Sequence, residues 1–269
     1  MARSTATLVG ATGGAGATRL AVELGATLAR DGREAAVLDA AFATEGLARH
    51  VSGRVDPDLT QLLTADRPLD DGLREHPVTA DLDGRLDLCP VHAPFERLAR
   101  AKTADAARRF EALLDEAAEN YDHVLVDAPP VAANQAVAAV AAAERVAVVA
   151  PASERGVDAV QRARGRIADV GASVDAVIAN RVAADGDWLD RDAGGDPDHP
   201  VRSAEAAVPE SEATGAASVP ASAPDPEPGF APAVARVAEA VLGVDVGLEF
   251  EEPGLLDVEA DALLPDALS

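Results

Sequence analysis

A glycine-rich turn near the start of the sequence carries residue types that bind phosphate. The apolar run at residues 7–9 predicts a short buried strand, and apolar residues recur at helical spacing between Leu20 and Leu28. Between these two stretches lie four glycines: Gly10, Gly13, Gly14 and Gly16. Strand, glycine-rich turn and helix in this order predict a phosphate-binding loop, because backbone N–H groups and the positive end of the helix dipole converge there. A tight strand-to-helix turn would also explain these glycines.

The predicted loop lacks the cation that such loops use. A phosphate-binding loop usually reads Gly-x-x-x-x-Gly-Lys-[Ser/Thr], whereas Ala17 occupies the lysine position in this sequence. The single lysine of the chain, Lys102, is far away along the sequence. The sequence therefore predicts a scaffold for a nucleotide in which the chemistry is weakened.

Two aspartates stand at the ends of predicted strands. Asp39 ends the apolar run at residues 35–39, and Asp127 follows the run at residues 124–126, just before two prolines. The carboxyl ends of parallel strands meet at one edge of a sheet, where active sites lie. A carboxylate at position 127 suits the water shell of a magnesium ion beside phosphates. A helix N-cap at Asp39 and a plain turn at Asp127 remain alternatives.

A third strand end carries the pair Asn180-Arg181. The apolar run at residues 173–179 predicts the strand that leads into this pair. An asparagine there presents both a hydrogen-bond donor and an acceptor, which suits the edge of an adenine base. A capping or turn role for Asn180 is the alternative.

The order of the predicted elements indicates the fold. Strands alternating with helices predict an α/β fold with a doubly wound, mostly parallel sheet and helices on both faces. The predicted strands cover residues 7–9, 35–39, 85–92, 124–126, 145–149 and 173–179. After the first helix, the predicted helices cover residues 104–120, 132–142, 156–170 and 231–242. Short helical pieces are expected at residues 46–51 and 59–63, and loops at residues 67–84.

Composition divides the chain into four parts. Residues 1–182 form the predicted nucleotide-binding core, and residues 230–243 a helix that packs on it. Between them, residues 183–229 are rich in Ala, Asp, Glu and Pro, which predicts a flexible acidic insertion with a short strand near residues 206–210. Mobile loops are expected at residues 185–199 and 211–228. Residues 244–269 read as an acidic, disordered tail.

The charge of the chain excludes several kinds of partner. Its 269 residues include 23 basic and 47 acidic side chains, a net charge of −24. Such a surface repels nucleic acid and anionic lipid, so neither direct nucleic-acid binding nor membrane insertion is expected. Acid-rich, lysine-poor composition indicates a cytoplasm with molar salt, where the Debye length falls to about 3 Å. A GC-rich genome combined with an acidic tail would give a similar composition.

Two further expectations concern location and the histidines. The amino terminus has no signal-peptide core, and the apolar stretch at residues 131–150 is broken by polar residues, so a cytoplasmic protein is expected. The histidines show no catalytic arrangement and are expected at solvent-exposed or turn positions. They are His50, His76, His92, His123 and His199.

Together these motifs resemble the MinD/ParA family of P-loop ATPases over residues 5–182, as a degenerate and haloarchaeal member. The family loop reads Lys-Gly-Gly-x-Gly-Lys-[Ser/Thr], which Thr12-Gly-Gly-Ala-Gly-Ala-Thr18 matches except at both lysines. Asp39 matches the first of the two acids that follow the second strand in the family, whereas Ala41 fills the second position. The family motif Asp-x-Pro-Pro matches at Asp127, and the adenine-contacting pair matches Asn180-Arg181.

The resemblance implies roles for these positions, with ATP and magnesium as ligands if the site is competent. Thr18 would ligate magnesium, Asp127 would orient its water molecules, and Asp39 would position the attacking water. Nucleotide contacts would come from the loop and the adenine pair. These residues are Thr12, Gly13, Gly14, Ala15, Gly16, Ala17, Thr18, Arg19, Asn180 and Arg181. Arg19 is a poor substitute for the lysine, because it lies one helical step beyond Thr18.

Three functions are compatible with the residues. The favoured one is a degenerate MinD/ParA-like protein with weak or absent ATP hydrolysis, which positions or partitions cellular cargo through protein partners. These partners would be an active family relative or a second copy of the chain. The second is a slow but working ATP-dependent dimer switch, and the third is an emptied nucleotide site kept for its fold. The tail would be a solvated segment or a docking segment for a partner.

Overall fold

Short buried strands, each followed by a turn and a helix, build one central sheet. The computed structural model describes residues 3–182, 204–211, 213 and 219–250. The strands are β1 (Ser4–Gly10), β2 (Glu34–Asp39), β3 (Arg74–Glu75), β4 (Arg85–Cys89), β5 (His123–Ala128), β6 (Arg145–Pro151), β7 (Ala176–Val182) and β8 (Ala206–Pro209). They lie in the order β3-β4-β2-β5-β1-β6-β7-β8, and all neighbours are parallel except β3 and β4.

Helices cover both faces of this sheet. They are α1 (Ala17–Arg30), α2 (Leu59–Ala65), α3 (Phe95–Arg100), α4 (Ala104–Asn120), α5 (Asn134–Ala142), α6 (Glu154–Asp169) and α7 (Phe230–Leu242). One core cluster joins the sheet to α4, α5 and α6, and the other joins its opposite face to α1 and α7. The predicted doubly wound fold is therefore confirmed. Among the described residues, no helix combines the length and the apolar character needed to cross a bilayer.

The stretch at residues 67–84 departs from the predicted loops. It contains β3 and two short 3₁₀ helices, Leu69–Asp71 and Pro77–Asp81. Arg74 and Glu75 pair antiparallel with β4 at the edge of the sheet, where polar side chains reach solvent. Such a strand lacks the apolar pattern on which sequence prediction depends. β4 itself ends at Cys89, before the predicted residue 92, because Pro90 has no N–H for the ladder.

The carboxy-terminal part packs on α1 as well as forming α7. β8 matches the short strand expected near residues 206–210. Ala221 and Ala223 are buried beside α1, within the stretch where the sequence predicts a mobile loop. Residues 244–250, the start of the expected tail, also lie against α1, where the guanidinium of Arg30 stacks 5.2 Å from the ring centre of Phe250. The predicted loop at residues 185–199 and the tail beyond residue 250 lie outside the described residues.

Three histidines are buried, so the expectation that they lie at solvent-exposed or turn positions is wrong for them. His123 is fully buried in β5, His50 and His76 are buried near α1, and His199 lies outside the described residues. The Nδ1 atom of His123 lies 2.8 Å from Ser4 Oγ, and Nε2 lies 3.2 Å from the Arg33 guanidinium. Burial, with the positive charge of Arg33, lowers the pKa of His123 to about 4.

This lowered pKa predicts a loss of stability in acid. Between pH 6.5 and 4 the unfolded chain binds a proton at His123 that the folded chain does not, so stability falls as pH falls. Replacing His123 with Gln removes the part of this pH dependence that His123 causes. Urea unfolding of wild type and His123→Gln at pH 7 and pH 5 should show a steeper acid loss for wild type, by about 1–2 kcal/mol. Equal losses in the two proteins would contradict the assignment.

Candidate nucleotide-binding site

The carboxyl edge of the sheet brings the glycine loop and Asp127 together. β1 lies between β5 and β6, so the loop after β1 sits beside the end of β5. The Thr18 hydroxyl, at the start of α1, donates a hydrogen bond of 2.6 Å to Oδ2 of Asp127. Both residues border a cavity of about 650 Å³. This is the juxtaposition that the sequence predicts for a nucleotide with magnesium.

All but one of the predicted site residues line this cavity. Those that line it are Thr12, Gly13, Gly14, Ala15, Gly16, Ala17, Thr18, Arg19, Asp127, Asn180 and Arg181. The remaining walls come from Gly10, Leu20, Glu23 and Phe230, from five residues between 41 and 50, and from residues 128–130, 208–211 and 213. Asp39 is the exception, because it is fully buried beneath the cavity and does not line it.

The glycine loop is held by Asn180. Gly16 is the N-cap of α1 and adopts the left-handed conformation, at φ +90°, where a β-carbon would also overlap the Asn180 amide nitrogen. That nitrogen donates a hydrogen bond of 2.9 Å to the carbonyl of Ala15. The side-chain oxygen of Asn180, Oδ1, accepts a hydrogen bond of 3.0 Å from the backbone N–H of Arg181. The amide thus already holds the loop, and its adenine contact stays a prediction.

Two carboxylates lie side by side under the cavity. Asp39 and Asp127 are paired residues at the ends of the neighbouring strands β2 and β5. The two oxygens of Asp39 accept backbone N–H bonds from Ala41, at 2.9 Å, and Val91, at 3.3 Å. Burial and the charge of Asp127 raise the pKa of Asp39 well above its usual range. Burial also raises the pKa of Asp127 to about 6, although the Thr18 hydrogen bond opposes this.

This arrangement fits a magnesium ion. Neither Asp39 nor Asp127 forms an ion pair within the part of the chain that the structure describes. A divalent cation would offset the two buried charges, with the Thr18 hydroxyl as a ligand and Asp127 holding coordinated water. The described residues contain no group of three His, Cys, Asp or Glu side chains arranged to hold a metal ion. The ion would therefore depend on Thr18, water and phosphate oxygens.

Arginines line the cavity although the loop has no lysine. Ala17 is only 7% exposed and brings no charge. The Nε of Arg19 lies 2.5 Å from Glu23, which is one turn further along α1. The Arg19 guanidinium also donates a hydrogen bond to the carbonyl of Ala213. Arg49 and Arg181 also border the cavity. The loop has thus lost its own cation, whereas the cavity as a whole has not.

A bulge in the last parallel pair sets the position of Arg181. The register between β7 and β8 shifts between Asn180 and Val182, so Arg181 has no partner in the ladder. Its backbone adopts the left-handed conformation, at φ +58°. Bulges of this kind turn a side chain away from the regular alternation of the strand. The exposed Arg181 side chain consequently borders the cavity instead of the sheet face.

Sequence reasoning missed the buried carboxylate of Glu23. This residue lies on α1 one turn beyond Arg19 and is 0% exposed. It accepts hydrogen bonds of 3.0 Å from the backbone N–H groups of Ala221 and Ser222, and one from the Ser222 hydroxyl. The network fixes the segment before α7 against the helix that begins at the glycine loop. An acidic residue among the apolar positions of α1 was the available signal in the sequence.

The sheet order, the glycine loop and the Thr18–Asp127 pair define a P-loop NTPase fold. The profile of the AAA_31 family, described as an AAA domain, matches residues 5–178, and the chain belongs to that family. The comparison with curated protein sequences gives no match.

Solved structures share this fold at low sequence identity. MinD from Pyrococcus horikoshii in complex with Mg-ADP is 20% identical, with a TM-score of 0.71 over 89% of this chain and 95% of that one. The MinC:MinD cell division complex from Aquifex aeolicus is 19% identical, with a TM-score of 0.69 over 93% of this chain and 99% of that one. A ParA family ATPase from Chlorobium tepidum is 19% identical, with a TM-score of 0.69 over 88% of this chain and 99% of that one. These likenesses confirm the MinD/ParA-type fold.

The geometry of the loop predicts different outcomes at two of its glycines. Gly16→Ala should lower the free energy of unfolding by about 2 kcal/mol, because alanine resists this left-handed backbone and would overlap Asn180. Gly13→Ala is the matched control, since no heavy atom lies within 4 Å of a β-carbon there and its φ is not positive. It should change stability by less than about 0.5 kcal/mol. Urea unfolding tests this, and similar losses at both positions would refute it.

Proposed function

We propose that this protein binds a magnesium nucleotide in the cavity beside the glycine loop and hydrolyses ATP weakly or not at all. In this degenerate MinD/ParA-like role it would position or partition cellular cargo through protein partners. The observation that carries the proposal is the Thr18–Asp127 hydrogen bond of 2.6 Å beside a loop in which Ala17 replaces the lysine. The binding scaffold is retained, whereas the loop cation that steadies the β- and γ-phosphates is missing.

The residues divide the work of binding as follows. Backbone N–H groups of Gly13, Gly14 and Gly16 would wrap the phosphates, and Thr18 would ligate magnesium, which neutralises phosphate charge when bound. Asp127 would hold coordinated water. Asp39 would position the attacking water only after releasing the backbone bonds from Ala41 and Val91. This requirement supports slow hydrolysis.

Loss of the lysine supports weak catalysis more than weak binding. A positive charge aimed at the charge that develops in the transition state is worth about 10²–10³-fold in rate. Ala17 cannot supply that charge, and Thr12 cannot supply the lysine that reaches across a nucleotide dimer in the resembled family. The expected turnover is correspondingly low, although backbone contacts still favour binding.

Protein partners are favoured over nucleic acid or membrane. The net charge of −24 opposes contact with either anionic polymers or anionic lipid. MinD of Aquifex aeolicus forms a complex with MinC, and an analogous partner, an active relative or a second copy of this chain would suit the proposal. The same acidic composition supports a halophilic cytoplasm.

A slow but working ATP-dependent dimer switch is the second candidate. Arg49 and Arg181 border the cavity and favour this alternative, because a cation from elsewhere in the chain would restore part of the lost charge. The two candidates differ in turnover and share nucleotide binding.

Calorimetric titration with Mg-ATP in molar KCl tests the binding that both candidates require. Wild type should bind, and Thr18→Val should weaken binding about tenfold and reduce its dependence on magnesium, because the variant loses the hydroxyl ligand. Absence of any binding by folded wild type would leave only an emptied site.

Hydrolysis measured in the same buffer separates the two candidates. Ala17→Lys should raise turnover about 10²-fold, because lysine would restore a charge at the phosphates. Gln161→Lys, on the exposed face of α6, is the control for adding a lysine. Wild-type turnover that already equals that of Ala17→Lys would favour the working switch over the degenerate protein.

A further inference from the structure

A short helical turn after β2 lies directly against the glycine loop. This turn, a 3₁₀ helix at Leu47–His50, begins after Gly46. A β-carbon on Gly46 would come within 3.0 Å of Oγ1 and 3.1 Å of Cγ2 of Thr18. The backbone of the turn therefore touches the residue that would ligate magnesium, although the two are 28 positions apart in the sequence.

One face of this turn is buried in the core, and the other faces the cavity. Leu47 is 0% exposed within the core cluster beside α1, and His50 is buried beneath the turn. Arg49 points the other way, because it is exposed and borders the cavity that the glycine loop lines. Two buried residues thus fix the position from which the Arg49 side chain extends.

Like Arg181, which also borders the cavity, Arg49 has no competing bond among the described residues. In the described part of the chain, its side chain forms neither an ion pair nor a hydrogen bond with another residue. Arg19, by contrast, is held by Glu23 and by the carbonyl of Ala213. An arginine kept without a carboxylate partner in a chain of charge −24 is suited to an anion.

The surrounding charges agree with this reading. Burial lowers the pKa of His50 to about 4, with smaller contributions from the positive charges of Arg19 and Arg49. Arg19 and Arg49 therefore both lie close enough to His50 to oppose its protonation. The carboxylates that border the cavity are Glu23, Asp127 and Glu210. The first is paired with Arg19, the second would face the magnesium ion, and the third forms no ion pair with Arg49 in the described residues. None of the three therefore neutralises Arg49.

We propose that Arg49 supplies, from the turn after β2, the positive charge toward the nucleotide phosphates that Ala17 no longer supplies from the loop. The inference rests on the proposed nucleotide binding and adds the residue that strengthens the binding of a triphosphate. A planar guanidinium can form two parallel hydrogen bonds with phosphate oxygens, which compensates for its approach from outside the loop. ATP should gain more than ADP, because its phosphate chain carries more charge.

The test compares the affinities of ATP and ADP with magnesium in wild type and four variants: Arg49→Ala, Arg49→Lys, Arg162→Ala and Arg181→Ala. Calorimetry in molar KCl should show that Arg49→Ala weakens ATP binding about tenfold and ADP binding less, whereas Arg49→Lys retains most of the ATP affinity. Arg162→Ala removes the same charge from the exposed face of α6, away from the cavity, and should match wild type. Thermal unfolding of each variant verifies that it is folded.

The outcomes separate this inference from the function on which it rests. If wild type binds ATP and folded Arg49→Ala binds it with the same affinity, the role of Arg49 is overturned and the proposed function stays intact. A loss on Arg181→Ala without a loss on Arg49→Ala would assign the charge to the bulge residue instead. Folded wild type that binds neither ATP nor ADP would overturn both the proposed function and this inference.

Discussion

Two carboxylates buried side by side at the carboxyl edge of the sheet constrain the rest of this site. Asp39 and Asp127 end adjacent strands, and their burial without an ion-pair partner among the described residues raises the pKa of both. Backbone N–H groups stabilise the first, and the Thr18 hydroxyl stabilises the second. Because that hydroxyl belongs to the first turn of α1, the position of the glycine loop depends on the same hydrogen bond. A magnesium ion would complete this balance of charge.

The alternation of apolar runs and helical periodicity was sufficient to predict the doubly wound sheet, because both faces of its strands are buried. The same logic placed Asp127 at the edge that carries the glycine loop, since strand ends of a parallel sheet converge, whereas Thr18 was identified through the resemblance to the family loop. It could not find β3, where Arg74 and Glu75 pair at an exposed edge without an apolar pattern. Nor could it find Gly46 against Thr18 or the bulge at Arg181, because such contacts depend on how distant segments pack.

The position of the positive charge distinguishes this site from the loop that its sequence resembles. In such a loop the lysine and the backbone N–H groups are neighbours in sequence and form one unit. Here the N–H groups remain at the loop, whereas Arg49 stands on a separate turn and Arg181 on a bulge. A charge on a separate element can move relative to the phosphates when that element shifts. Binding and release would then depend on the packing of Leu47 and His50.

The Glu23 network has a consequence for how this sequence can change. Ala221 and Ser222 direct two backbone N–H groups at one carboxylate with 0% exposure. Glutamine at position 23 would oppose a donor with a donor, and a shorter acid would leave both unsatisfied. A substitution at position 23 is therefore expected to require substitutions around residues 221–222, although nearly two hundred positions separate them. A homologue that lacks the acid should also have reshaped the segment before α7.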